Sequence, residues 1–168
     1  MSFFAARKNT PLAQYTTLPK EFPQTGEVTE DRGPSSLLKY ILCKANATIA
    51  AGNWVKIDAA NMTASTELLV IPTAAVPDVV LGLPAGGQAV ANGSYFWCQI
   101  YGLAALGTVL TTAAVTAGGA LTASATAGAL QMNTSTAAQQ NVIAIALQAN
   151  SSGTPQLLLV HISSSYNP

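Results

Sequence analysis

The last formally charged side chain of this 168-residue chain is Asp78, and residues 79–168 contain no Lys, Arg, Asp or Glu. Ten of the charges fall early: Arg7, Lys8, Lys20, Glu21, Glu27, Glu30, Asp31, Arg32, Lys39 and Lys44. Soluble domains are normally roughly 25% charged, whereas this chain is 8% charged, 49% apolar and of zero net charge. Low charge with high apolar content excludes solvated disorder. It also argues against a nucleic-acid partner, which requires a basic footprint. The surface of the second half must be solvated by Thr, Ser, Asn and Gln. Such a surface gives little repulsion between copies and avoids the desolvation cost of burying charge in an interface.

Residues 1–36 read as an extended arm. Pro11, Pro19, Pro23 and Pro34 exclude a long helix, and the aromatics Phe3, Phe4, Tyr15 and Phe22 follow no period. Isolated aromatics on a proline-rich segment suit docking into separate pockets of a partner. The N-terminal apolar run is too short for a secretory signal, which predicts synthesis in the cytoplasm. Threonines and glycines interrupt the stretch nearest to a membrane span, Leu103 to Leu121, so no membrane partner is expected.

Residues 37–168 read as β-rich. Apolar runs or alternations occur at Leu37–Cys43, Trp54–Asp58, Leu68–Ile71, Val79–Leu83, Ser94–Tyr101, Val142–Leu147 and Leu157–Ile162. In the second of these, Val55 and Ile57 point inward, Lys56 and Asp58 outward. Glycine turns separate the runs, as in a sandwich or barrel. The expected fold is therefore all-β: a small β-sandwich or β-barrel with an extended, Pro-rich N-terminal arm. Residues 104–140, rich in Ala, Thr, Ser and Gly, read as loops and short strands. Three segments put glycine just ahead of a strand: Ala51-Gly52-Asn53, Asn92-Gly93-Ser94 and Ala117-Gly118-Gly119. Their spacings, 41 and 25 residues, read as recurring turn chemistry and not as a repeat period.

Ser94–Tyr101 has two apolar faces, Phe96, Cys98 and Ile100 against Tyr95, Trp97, Gln99 and Tyr101. One face fits the core. The other, with Tyr95, Trp97 and Tyr101, is either buried within one sandwich or contacts another copy or a partner protein, since Tyr and Trp are enriched at interfaces. Cys43 and Cys98 read as reduced core residues. His161 is the one histidine and reads as a partly buried strand residue without a visible nucleophile or orienting group. Asp58, Glu67 and Asp78 are the carboxylates of the domain, with no spacing that suggests an acid–base pair. Ala85-Gly86-Gly87-Gln88 lacks the Lys-Ser/Thr of a phosphate loop. The inventory predicts no catalysis, no metal site and no cofactor.

From Thr48 onward the sequence resembles the decoration, or cement, proteins of tailed-bacteriophage heads, including the lambda-type head decoration protein. The likeness rests on Thr48–Ile57, Val79–Pro84, Val90–Gly102, Val115–Thr122, Asn141–Gln148 and Leu157–Ile162, a pattern of small residues and turns. The resemblance implies a β-rich virion protein on the outer surface of the capsid, commonly a homotrimer. It would bind the major capsid protein and staple neighbouring subunits, with residues 1–36 ordering against the shell. The alternative is a phage fibre or tail β-domain that binds host surface carbohydrate.

Overall fold

A computed structural model describes residues 14–15, 25, 27–32, 37–58, 61–65, 79–111, 114–124, 126–133, 142–150 and 156–163. These hold eleven strands and no α-helix. The strands are β1 (Gln14–Tyr15), β2 (Val28–Arg32), β3 (Leu37–Ala45), β4 (Val55–Asp58), β5 (Thr63–Ser65), β6 (Val79–Pro84), β7 (Tyr95–Thr111), β8 (Ala120–Ala123), β9 (Ala129–Met132), β10 (Ala144–Ala146) and β11 (Gln156–Ser163). The expected run at Leu68–Ile71 lies outside the described residues.

The pairings close on themselves, which resolves the choice between sandwich and barrel. β3 pairs with β7, β7 with β6, β6 with β4 and β4 with β5, all antiparallel, and β5 returns to β3 in parallel. Closure leaves no open edge within this five-stranded barrel. A second circuit follows the same plan: β7 to β11, β11 to β10, β10 to β8 and β8 to β9 antiparallel, then β9 back to β7 in parallel. β7 is 17 residues long and belongs to both circuits, closing the first with its beginning and opening the second with its end.

The two circuits are a structural repeat. In the first, Lys44 and Ala45 pair with Thr63 and Ala64; in the second, Leu110 and Thr111 pair with Ala129 and Leu130, each residue 66 positions later. Ile57↔Ala64 becomes Ala123↔Leu130 at the same shift. Toward the C-terminus of each unit the shift is 62: Leu83↔Gln99 becomes Ile145↔His161, and Pro84↔Cys98 becomes Ala146↔Val160. Loop geometry repeats as well. Gly52 and Gly118 have φ of +77° and +80°, and Met62 and Gly128 have φ of +51° and +73°. The spacings of 41 and 25 between successive glycine segments concealed this: the first and third are the equivalent pair, 66 apart. Within 104–140, read as loops and short strands, the described residues carry the second half of β7 and the short strands β8 and β9.

Side chains obey the period of two within each strand. Ile41, Cys43, Val55, Ile57, Ala64, Phe96, Cys98 and Ile100 fill the first barrel. Leu121, Ala123, Leu130, Val160 and Ile162 occupy in the second the positions of Val55, Ile57, Ala64, Cys98 and Ile100, and Ala144 and Ala146 pack with them. Trp54, Leu81 and Leu83, on the outside of the first barrel, join this second cluster. The two units therefore share a core.

β7 changes partners at Gly102, whose φ is +93° and where a Cβ would collide with the Leu37 carbonyl oxygen and the Leu38 side chain. Only glycine fits both the backbone angle and the close approach. Just before it, buried Gln99 donates from Nε2 to the carbonyls of Tyr101 (3.2 Å) and Leu103 (3.0 Å), satisfying backbone acceptors where the strand crosses between barrels.

The boundary drawn at residues 36/37 falls between two paired strands: β2 runs antiparallel to β3 from Val28↔Ile41 to Arg32↔Leu37, and Val28 packs against the first core.

Candidate interaction surface

Residues directly paired across strands point to the same face. On the outer face of the first barrel β3 and β7 therefore line up Lys44 with Tyr95, Leu42 with Trp97, and Tyr40 with Gln99. Tyr40, Leu42 and Trp97 pack with Ala85, and Leu38 flanks them. Trp97 is 3% exposed; its aromatic surface is covered within one chain. Its indole Nε1–H is buried and has no hydrogen-bond partner among the described residues.

The other two aromatics of the face are half-buried. The Lys44 ammonium lies 5.3 Å from the centre of the Tyr95 ring, a cation–π contact worth about 0.5–1 kcal/mol at such a site. Tyr101 meets the His161 ring edge-on, with centroids 5.5 Å apart and an interplanar angle of 82°. This holds the imidazole in the seam where β11 joins β7.

Of the predicted arm residues, Phe3, Phe4 and Phe22 lie outside the described residues. Tyr15 is in β1, which adds to β7 through Gln14↔Phe96 and Tyr15↔Tyr95. The arm thus reaches the body beside the aromatic face. The ion pair Lys39–Glu30 (3.2 Å) joins β3 to β2 at the surface, where such pairs contribute little.

Among the described residues no three His, Cys, Asp or Glu side chains gather as a metal-binding group. Cys43 and Cys98 are free and buried in the first barrel. Burial above all, helped by a hydrogen bond and charge coupling with Cys43, raises the Cys98 thiol well above its ordinary value. A thiol so placed is not a nucleophile at neutral pH.

Sequence reasoning overlooked a second feature. The loops of the second barrel are tied together by the Val115↔Asn150 bridge, as Ile49↔Val90 ties those of the first. Beside the former stands Leu147, at 43% exposed the one large apolar side chain in the open among the described residues. The signal that would have found it was the 66-residue recurrence of the glycine turns.

The fold is thus that of two five-stranded β-barrels in tandem on a shared strand. No protein-family model matches the chain, and no curated protein does. Among solved structures, the N base of the head fiber gp8.5 of bacteriophage phi29 is similar with a TM-score of 0.46 and 16% sequence identity, covering 78% of this chain and 99% of that one.

Proposed function

We propose that this chain is a structural protein of a tailed-phage virion that binds the outer surface of the head and clamps neighbouring capsid subunits, without catalysis or cofactor. The observation that carries the reading is the uncharged second barrel. A complete β-barrel unit lacks Lys, Arg, Asp and Glu, and among the described residues its exposed loop positions hold Ala, Thr, Gly, Leu and Gln. A free monomer gains solubility from charge. A protein that works packed against a shell and against its own copies gains from its absence. The small-residue and turn pattern from Thr48 onward supports the same reading.

The attachment of the arm supplies the clamp. β1 is anchored on β7 at Tyr95 and Phe96, and thirteen residues carrying Phe3 and Phe4 precede it. Thirteen extended residues span about 45 Å, enough to reach a neighbouring capsid subunit. Repetition over a symmetric shell turns weak contacts into strong retention by raising effective concentration.

Co-sedimentation with expanded, undecorated capsids of the parent phage tests this. Residues 1–13 are the deletion to compare with the full chain, because removing 1–36 would also take away β1 and β2. Saturable binding that weakens at least tenfold on deletion is the expected result. No binding by either form, with binding to host glycans instead, would replace this reading with that of a fibre or tail domain.

A further inference from the structure

The tandem repeat permits a comparison within one molecule: the same face can be examined once with a unit packed on it and once without. On the outside of the first barrel, Trp54, Leu83 and Gln99 form a row across β4, β6 and β7, following the registers Val55↔Gly82 and Leu83↔Gln99. The three are 0%, 1% and 4% exposed. The equivalent row on the second barrel is Ala120, Ile145 and His161, paired as Ile145↔Ala120 and Ile145↔His161. All three are half-buried. One step along, Ala85 is 1% exposed beneath Tyr40, Leu42 and Trp97 of its own barrel, whereas its counterpart at the 62-residue shift, Leu147, is 43% exposed.

Trp54 and Leu83 of the first row are sealed by the second barrel. Trp54 and Leu83 share a core with Val115, Leu121 and Leu130. The turn before β9 sits directly on the row: the Trp54 backbone N–H donates to the Gly128 carbonyl (2.9 Å), and the Asn53 side chain lies so close to Gly128 that a Cβ there would strike it. The counterpart of that turn in the first barrel is Asn61–Met62, just before β5, where Met62 has the same left-handed backbone as Gly128. Asn61 there is exposed. The molecule therefore carries both halves of its own internal contact: at one unit a half-buried row ending in exposed Leu147, and at the other a turn whose Asn61 is exposed while Met62 packs on the first core.

We infer that a second copy of this chain covers the Ala120–Ile145–His161 row and Leu147, seating its Asn61–Met62 turn there as Ala127–Gly128 seats on Trp54. The occupant is argued from continuity with the contact between the two barrels of one chain. The row lies in the segment without formal charge, so no like charges oppose self-docking. Because the two surfaces differ, the contact is head-to-tail, and it closes into a ring or extends as a filament according to the rotation between copies. It is a property of the chain itself and stands or falls apart from capsid binding.

Sedimentation equilibrium of the full chain tests it, with circular dichroism confirming folding. The wild type is expected to self-associate. Leu147→Lys and, separately, Asn61→Arg should each weaken association at least tenfold, while Asn92→Lys, on an exposed turn of the first barrel, should not. Mixing the Leu147→Lys and Asn61→Arg chains should restore a mixed dimer, since each retains one intact surface. A monomeric wild type, or unchanged association in Leu147→Lys, would overturn the inference. Loss of association in Leu147→Lys with none in Asn61→Arg would overturn the head-to-tail pairing.

Discussion

Gly102 and Gly118 separate two reasons for a glycine. Both have positive φ, but a Cβ at Gly118 meets nothing within 4 Å, whereas one at Gly102 collides with β3. Gly118→Ala should cost about 1–2 kcal/mol, the price of left-handed backbone alone. Gly102→Ala should cost more, roughly 3–5 kcal/mol once overpacking is added. Urea unfolding of the two variants checks the order, and equal costs would contradict the role given to Gly102. Cys98 supplies a pH dependence. Its folded thiol titrates above the ordinary value of 9.0, so its stabilising effect is complete below the unfolded value and is lost as pH rises above it. The urea midpoint should fall between pH 8 and pH 10.5, and less steeply in Cys98→Ala. At pH 8 the folded protein should resist alkylation at Cys98 that proceeds after unfolding.

The strands differ in how plainly the sequence announces them. Trp54–Asp58 was legible because Val55 and Ile57 alternate with Lys56 and Asp58, and they point inward as expected. Ser94–Tyr101 was legible by its aromatics, but the strand runs on to Thr111, through a Gly-, Ala- and Thr-rich stretch that offers no contrast between faces. The repeat was hidden for a related reason. Backbone register and turn glycines are the same in the two units, while facing side chains have diverged, Trp54 to Ala120 and Gln99 to His161. The candidate surface was half legible: period two puts Tyr95, Trp97 and Tyr101 on one face, but only the structure shows Trp97 covered by Tyr40, Leu42 and Ala85. Sharing β7 and a core also predicts joint unfolding of the barrels. Trp97 packs within the first unit whereas Trp54 sits against the second, so the fluorescence of a Trp54→Phe variant reports the first unit and circular dichroism reports both. The two transitions should coincide. A fluorescence transition lagging behind the dichroism would show the second barrel melting alone.

For the whole molecule, the division of charge and the division into barrels nearly coincide. The first unit carries Lys39, Lys44, Lys56, Asp58, Glu67 and Asp78, and the second carries none. Attachment resting on apolar and aromatic contacts should be little affected by salt, in contrast to one that neutralises charge. A clamp as proposed strengthens the shell as well as binding it. The direct measurement is the temperature at which DNA escapes from filled, expanded heads of the parent phage, with and without saturating protein. Release is expected at a higher temperature when the protein is bound, with much of the gain lost on deleting residues 1–13. Bound protein that leaves the release temperature unchanged would contradict it.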